Sequence, residues 1–433
     1  MMEAILLILI IVINVGILLG EKSYLEPGPL MNWYWIINII VGLLVYSSTY
    51  RWNWWPLFYL LGASIIFHIS YLFGKHIVVG SADINCRRTM PSVNENYYRA
   101  ILIIGIISGF LYVILQLRNN GFSLSFALNN MRATGTYFNK GRYENGGIHV
   151  SAIQQIFLMV MYATCIYSGY IYHLQKRSKL LIIINFIPAI LSMLVTTAKA
   201  TFVCAVLLWT TGLLVFRSCK FQISDEGQPH SLNNIGKLIG VILLAIVAFI
   251  AVFQSFVVRY GGTTYTNIYE RILVYATGQI PSFDNLMKVN HFSLVGETYG
   301  YYSFTWICNL LGIEPIKQWS YNFNLYTSLG FTNVPTIFVD FIIDFGKIGA
   351  LIEVALWGVF TGFIYNMISR SGNALYYTFL GFSYYGILYS YLVNPMRYVT
   401  IAVGIILFGV FVSFEGRVRE TADSDNYLLT RSI

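Results

Sequence analysis

Charge is what this sequence has least of. Only 11% of its 433 residues are charged while 57% are hydrophobic, and the long apolar runs show no period-2 alternation. Soluble domains carry about a quarter of their residues charged, so the shortage excludes an ordinary water-soluble fold, and the missing alternation excludes a membrane β-barrel. Paired cysteines are lacking too. Cys86, Cys165, Cys204, Cys219 and Cys308 lie far apart with no CxxC spacing and are expected to be small buried hydrophobes rather than disulfide or metal partners. The six histidines show no HExxH-like spacing and no GxxxxGK[ST] phosphate loop occurs, so neither a metal nor a cofactor is expected. His68, inside an apolar run, is expected to be a packing residue.

What the chain has instead is a series of apolar stretches near the roughly 20 residues that a helix needs to cross a hydrocarbon core. In lipid only helices and closed barrels satisfy the backbone. The spacing predicts about eleven transmembrane helices: from Ala4 to Gly20, Leu30 to Ser48, Pro56 to Gly74, Ala100 to Gln116, Val150 to Tyr172, Leu180 to Thr197, Thr201 to Phe216, Leu238 to Val258, Gly346 to Ile368, Leu375 to Val393 and Thr400 to Phe414. Met-Met-Glu precedes the first run and Glu-Lys follows it, without a basic leader or small-residue cleavage site, so it is expected to be a retained span. The fold class is an all-α polytopic membrane protein, with residues 1–433 forming a single integral membrane domain.

Orientation follows from Lys and Arg in the short loops. Lys176 to Lys179, Arg217 to Lys220 and the tail with Arg417 and Arg419 are assigned to the inside, and alternation then puts the N-terminus outside. Cations remain common in the external segments. A net charge of +8 split between both faces suits phospholipid contact better than nucleic acid. The longest connector, 259–332, follows the eighth span. It is rich in aromatics such as Tyr260, Tyr299, Tyr301, Tyr302 and Trp306, so it is expected to fold as short helices lying on the outer membrane surface.

Arg259 closes the eighth span and Arg271 follows shortly after it. A guanidinium grips phosphate oxygens in a bidentate way that lysine does not match, so the pair suits a diphosphate at the headgroup boundary; ordinary lipid phosphates would satisfy them as well. Asp340 and Asp344 are spaced i and i+4, hence on one helical face, with Arg259, Arg271 or Arg397 as natural partners. Either they cap and pair to fix the loop, or one of them does chemistry. Asp344 is expected to cap the span beginning at Gly346, and Asp340 is the better chemical candidate.

Asn333-Val-Pro-Thr336 followed by Asp344-Phe-Gly-Lys-Ile-Gly349 resembles the signature of the Wzy family of O-antigen repeat-unit polymerases, with Pro335 standing where an aromatic is usual. The stretch from Tyr269 to Asp284, with Arg271, Tyr275 and Gly278, resembles that family's helix ahead of its main loop, and Gly121 to Gly147 is similar to its early arginine-bearing loop. The resemblance implies a GT-C-like glycosyltransferase of the bacterial inner membrane, with its long external loop between spans 8 and 9. It would polymerise undecaprenyl-diphosphate-linked oligosaccharides on the outer face, with a chain-length regulator as protein partner. On that basis Arg259, Arg271 and Asp340 are the catalytic candidates. Arg397, Arg132, Arg142, Tyr275, Gln279, Asn333, Thr336 and Asp344 are the substrate-binding ones. For the proton acceptor, Asp340, Asp344, Glu297, Tyr275 and His291 all stay open. Two rival readings are an O-antigen ligase acting on lipopolysaccharide core and a lipid-linked oligosaccharide flippase. A flippase needs a polar pathway, and the spans look nearly free of charge.

Overall fold

The computed structural model describes residues 2–21, 23–77, 95–141, 147–172, 179–223, 265–289, 298–313, 325–327, 330–332, 336–371, 373–392 and 394–431. Among these residues seven helices are long and apolar enough to cross a membrane: Pro27–Val45, Trp54–His76, Glu95–Arg118, Ala152–Ile171, Lys179–Thr196, Lys199–Cys219 and Ile337–Ile368. Two shorter apolar helices, Ile5–Leu19 and Val399–Glu415, and the helix Ala374–Tyr389 fall on three further expected runs. The expected span from Leu238 to Val258 lies outside the described residues, as do Arg142, Arg259, His291, Glu297 and Asn333. By length and composition this is a helical multi-pass membrane protein. The only strands among the described residues form a small antiparallel hairpin, Leu325–Thr327 with Gly330–Thr332.

The chain packs as two compact units, one from Met1–Arg87 with Tyr269–Ala402, the other from Arg88–Ile268 with Val403–Ile433. In the first unit the central contact joins Trp54–His76 to the long helix Ile337–Ser371. Tyr59 donates its hydroxyl to the Lys347 carbonyl at 2.8 Å, while farther along both helices a Cβ on Gly362 would stand 2.0 Å from the Tyr71 carbonyl oxygen. The two helices therefore run parallel, and glycines bring their backbones together as they do in lipid, where apolar burial gives no driving force. Trp35, from the neighbouring Pro27–Val45, packs 4.9 Å from the Phe338 ring and donates to Ser390 Oγ at 3.1 Å.

The Gln279–Val289 helix departs from the expectation of a surface helix. Ile280, Phe283, Leu286 and Met287 are buried, an i, i+3, i+6, i+7 stripe that enters the core, with Phe283 stacked on Tyr59. Asp284 on the same helix is fully buried; it accepts from Tyr50 at 2.6 Å and from the Asn53 backbone N–H at 3.2 Å. Burial, with the Asp284 carboxylate beside it, holds the Tyr50 hydroxyl above the ordinary phenol range, so it stays a donor.

In the second unit Ala152–Ile171 and Lys199–Ile223 approach as closely: a Cβ on Gly169 would lie 1.9 Å from the Trp209 carbonyl oxygen, and one on Gly212 2.0 Å from that of Ile166. These helices run parallel, with Tyr162 beside Cys204 toward their starts and Tyr170 against Phe216 toward their ends. The expected span from Leu180 to Thr197 is built of two pieces, Lys179–Ile184 and Ile187–Thr196, because Pro188 lacks the N–H that would continue the ladder. Cys165, Cys204 and Cys219 are buried in helices of this unit.

Candidate functional site

The candidate site lies in the first unit, where the helix Ile337–Ser371 changes direction. Gly346 has φ 73° and ψ 174°, a conformation open in practice only to glycine, and it divides a short leg ending at Phe345 from the membrane-length leg that follows. The short leg is anchored at its start by the Ile337 N–H bond to the Ser390 carbonyl, 2.8 Å. Thr336, at the start of this leg, and Asp340 and Asp344 along it are all buried.

The two aspartates have different partners. Asp344 accepts from the Thr298 hydroxyl at 2.6 Å, from the Tyr302 N–H at 3.2 Å and from the Ser303 N–H at 2.6 Å. The turn that it fills contains Tyr299 and Gly300, both at positive φ. Asp344 is thus a cap, though for the 298–304 turn rather than for the span after Gly346. Asp340 lies 3.1 Å from the Arg397 Nη2, with its side chain fully buried and that of Arg397 17% exposed. Arg397 belongs to the 3-10 turn Pro395–Arg397, and its guanidinium lies over the Tyr302 ring at 4.9 Å. Asn394 closes the arrangement: it caps its own turn through the Met396 N–H and donates to the Tyr302 and Ser303 carbonyls at 3.1 and 3.2 Å.

One residue of the cluster escaped the sequence reading. Glu353 sits on the second leg and accepts from the Ser303 hydroxyl at 3.2 Å, so one serine bridges two acidic residues through its N–H and its Oγ. A lone acidic residue within an apolar run is a signal that sequence offers, but its partner comes from a distant turn.

A second group of candidates lies mainly on the first helices of the long loop. Arg271 is half-buried on Tyr265–Thr277. Gln279 is buried, and its amide donates back to the Tyr275 carbonyl at 2.9 Å, pinning the junction at Gly278. Arg132 is exposed on Met131–Gly141, in the other compact unit.

The spans are also less free of polar groups than the sequence suggested. His68 is buried, with Nε2 3.3 Å from Glu21 Oε1 and Nδ1 3.4 Å from the Asn32 amide. Asn32 and Asn14 exchange amide bonds at 2.7 and 2.8 Å, and Glu26 holds both Tyr71 and Lys75. His68 is therefore a partnered member of a polar network rather than apolar filler.

Among the described residues no group of three or more His, Cys, Asp or Glu side chains is placed to hold a metal ion. What the fold and the joint define is a polytopic helical membrane protein with a buried carboxylate–guanidinium centre beside a kinked span. No protein-family model, curated protein or solved structure matches the chain.

Proposed function

We propose that this protein is a GT-C-like membrane glycosyltransferase that polymerises undecaprenyl-diphosphate-linked oligosaccharide repeat units on the outer face of the bacterial inner membrane. The observation that carries the reading is an ordered set of residues: Arg271 early in the long loop, then Thr336, Asp344-Phe-Gly-Lys-Ile-Gly349 and Arg397. Of these, Asp344 stands two residues before Gly346 and Thr336 begins the same short leg, which also carries Asp340, the buried partner of Arg397.

In the reaction the acceptor hydroxyl attacks the anomeric carbon of the donor glycan and passes its proton to a carboxylate or tyrosine base, the carbon–oxygen bond to phosphate breaks, and undecaprenyl diphosphate leaves with the bonding pair. Positioned cations stabilise the charge that develops on the diphosphate. Arg259 and Arg271 take that role, with Arg397 as a third cation held in orientation by Asp340. Being buried against Arg397, Asp340 is better placed to orient that guanidinium than to take the acceptor proton, so it is a positioning residue here rather than the base.

The test uses purified protein and a synthetic lipid-linked repeat unit. Wild type yields a ladder of products, and Arg271→Ala lowers turnover by about 100-fold or more, the usual cost of removing one transition-state charge partner. Arg271→Lys restores little, because lysine lacks the bidentate fork. A full ladder from Arg271→Ala removes the diphosphate role from this residue. Transfer to added lipopolysaccharide core with no ladder replaces the polymerase reading by that of a ligase.

A further inference from the structure

Beyond the kink, Ile337–Ser371 and Ala374–Tyr389 enclose a cavity of about 670 Å³, within the roughly 300–1,000 Å³ range of ligand sites. Its shape follows from its lining. One wall is a stripe on the long helix, Gly349, Ile352, Glu353, Leu356, Trp357 and Phe360, which at 1.5 Å per residue runs for about 16 Å. The facing wall comes from an antiparallel neighbour: Thr361 donates to Ser383 at 3.0 Å, and a Cβ on Gly386 would meet the Trp357 ring at 2.8 Å. The far end is closed by Phe360 and Phe379, edge to face with centroids 5.4 Å apart.

Polar groups are gathered at the other end. Ser303, Glu353, Asn394 and Met396 line the mouth, and the chain passes directly from Met396 to Arg397. Ile352, Leu356 and Phe360 are exposed, so the groove opens sideways onto the surface that faces lipid. An oligosaccharide placed here would leave its hydroxyls without partners. A long apolar chain fits the length and the lining, and Arg397, next in the chain after Met396 of the mouth, offers a cation to an anionic head. One groove takes one chain, whereas a phospholipid brings two.

We infer that this groove seats the polyisoprenyl chain of the lipid-diphosphate donor, admitted sideways from the bilayer with its diphosphate at the Ser303–Arg397 end. The inference rests on the polymerase reading and says where its lipid substrate lies.

The experiment uses the full chain in phosphatidylethanolamine/phosphatidylglycerol nanodiscs with two photoreactive probes, a diazirine-bearing polyprenyl diphosphate and a diazirine-bearing phosphatidylglycerol. The polyprenyl probe is expected to label peptides spanning 349–360 and 379–386, and unlabelled polyprenyl diphosphate to compete it away. Ile352→Trp and Leu356→Trp, at exposed positions that tolerate bulk, should each cut that labelling and raise the KM for donor by about tenfold, the scale of a steric misfit in an apolar pocket. Labelling elsewhere overturns the inference, as does groove labelling by the phosphatidylglycerol probe that polyprenyl diphosphate fails to displace. The two proposals separate cleanly. A working polymerase whose groove is not labelled leaves the function standing and removes the groove, while a competed groove in a protein without transferase activity keeps the lipid site and removes the polymerase.

Discussion

Asp340 and Asp344 stand one turn apart on the same short helical leg, yet their surroundings give them separate consequences. Asp344 is held by two backbone N–H groups and a hydroxyl, which secures the 298–304 turn over the joint. Asp340 faces a guanidinium that is itself mostly buried. Removing one partner of a buried pair costs about 3–5 kcal/mol because the other charge is left uncompensated; the partial exposure of Arg397 and its ring contact with Tyr302 put the cost at the lower end. Asp340→Asn is therefore expected to lower the amount of folded protein in detergent, read by fluorescence-detected size exclusion. Asp340→Asn combined with Arg397→Gln should recover much of that loss without recovering polymer. If Asp340→Asn instead folds at wild-type levels with turnover lost by roughly 100-fold, the residue is the general base and its positioning role falls.

At the scale of elements the kink at Gly346 decides where those aspartates sit. An alanine at φ 73° and ψ 174° would be strained by about 1–3 kcal/mol. Gly346→Ala should lower the melting temperature and reduce polymer formation, while Gly62→Ala, on the parallel helix with nothing within 4 Å of the added Cβ, should leave both intact. Equal behaviour of the two variants would mean that the joint is not a constraint. Much of this element structure was legible in the chain itself. Nearly every described span coincides with an apolar run, because bilayer thickness imposes a length that composition reveals. The i, i+4 spacing of Asp340 and Asp344 likewise placed them on one helix face. The direction taken by Asp344 was not legible, since its partners lie some forty residues away in a turn whose geometry depends on Tyr299 and Gly300. Nor was the burial of Gln279–Val289, where an amphipathic stripe suits a membrane surface and a protein core equally well. Glu353 and the His68–Glu21 contact escaped for the same reason: sequence displays an ionisable residue within an apolar run, but only the fold supplies its partner.

For the molecule as a whole the open physical question is which end of the first unit faces outward. Trp54–His76 and the long leg after Gly346 run parallel, with Tyr59 level with Lys347 and Tyr71 level with Gly362. The Tyr50 contacts to Pro281, Asp284 and Asn285 put the connector before Trp54–His76 at the same end as the helices of the long loop. Tyr299, 76% exposed, belongs to the turn that Asp344 holds at the start of the long leg, and His76 closes the other end. The proposed reaction takes place outside the inner membrane, so Tyr299 must be outside and His76 inside. With the five native cysteines replaced, Tyr299→Cys should react with a membrane-impermeant maleimide in cells whose outer membrane has been opened. His76→Cys should react only after the inner membrane is also made permeable. The reverse pattern would put the Asp340–Arg397 joint on the cytoplasmic side, where a glycan already carried across the membrane is out of reach, and would overturn the polymerase reading.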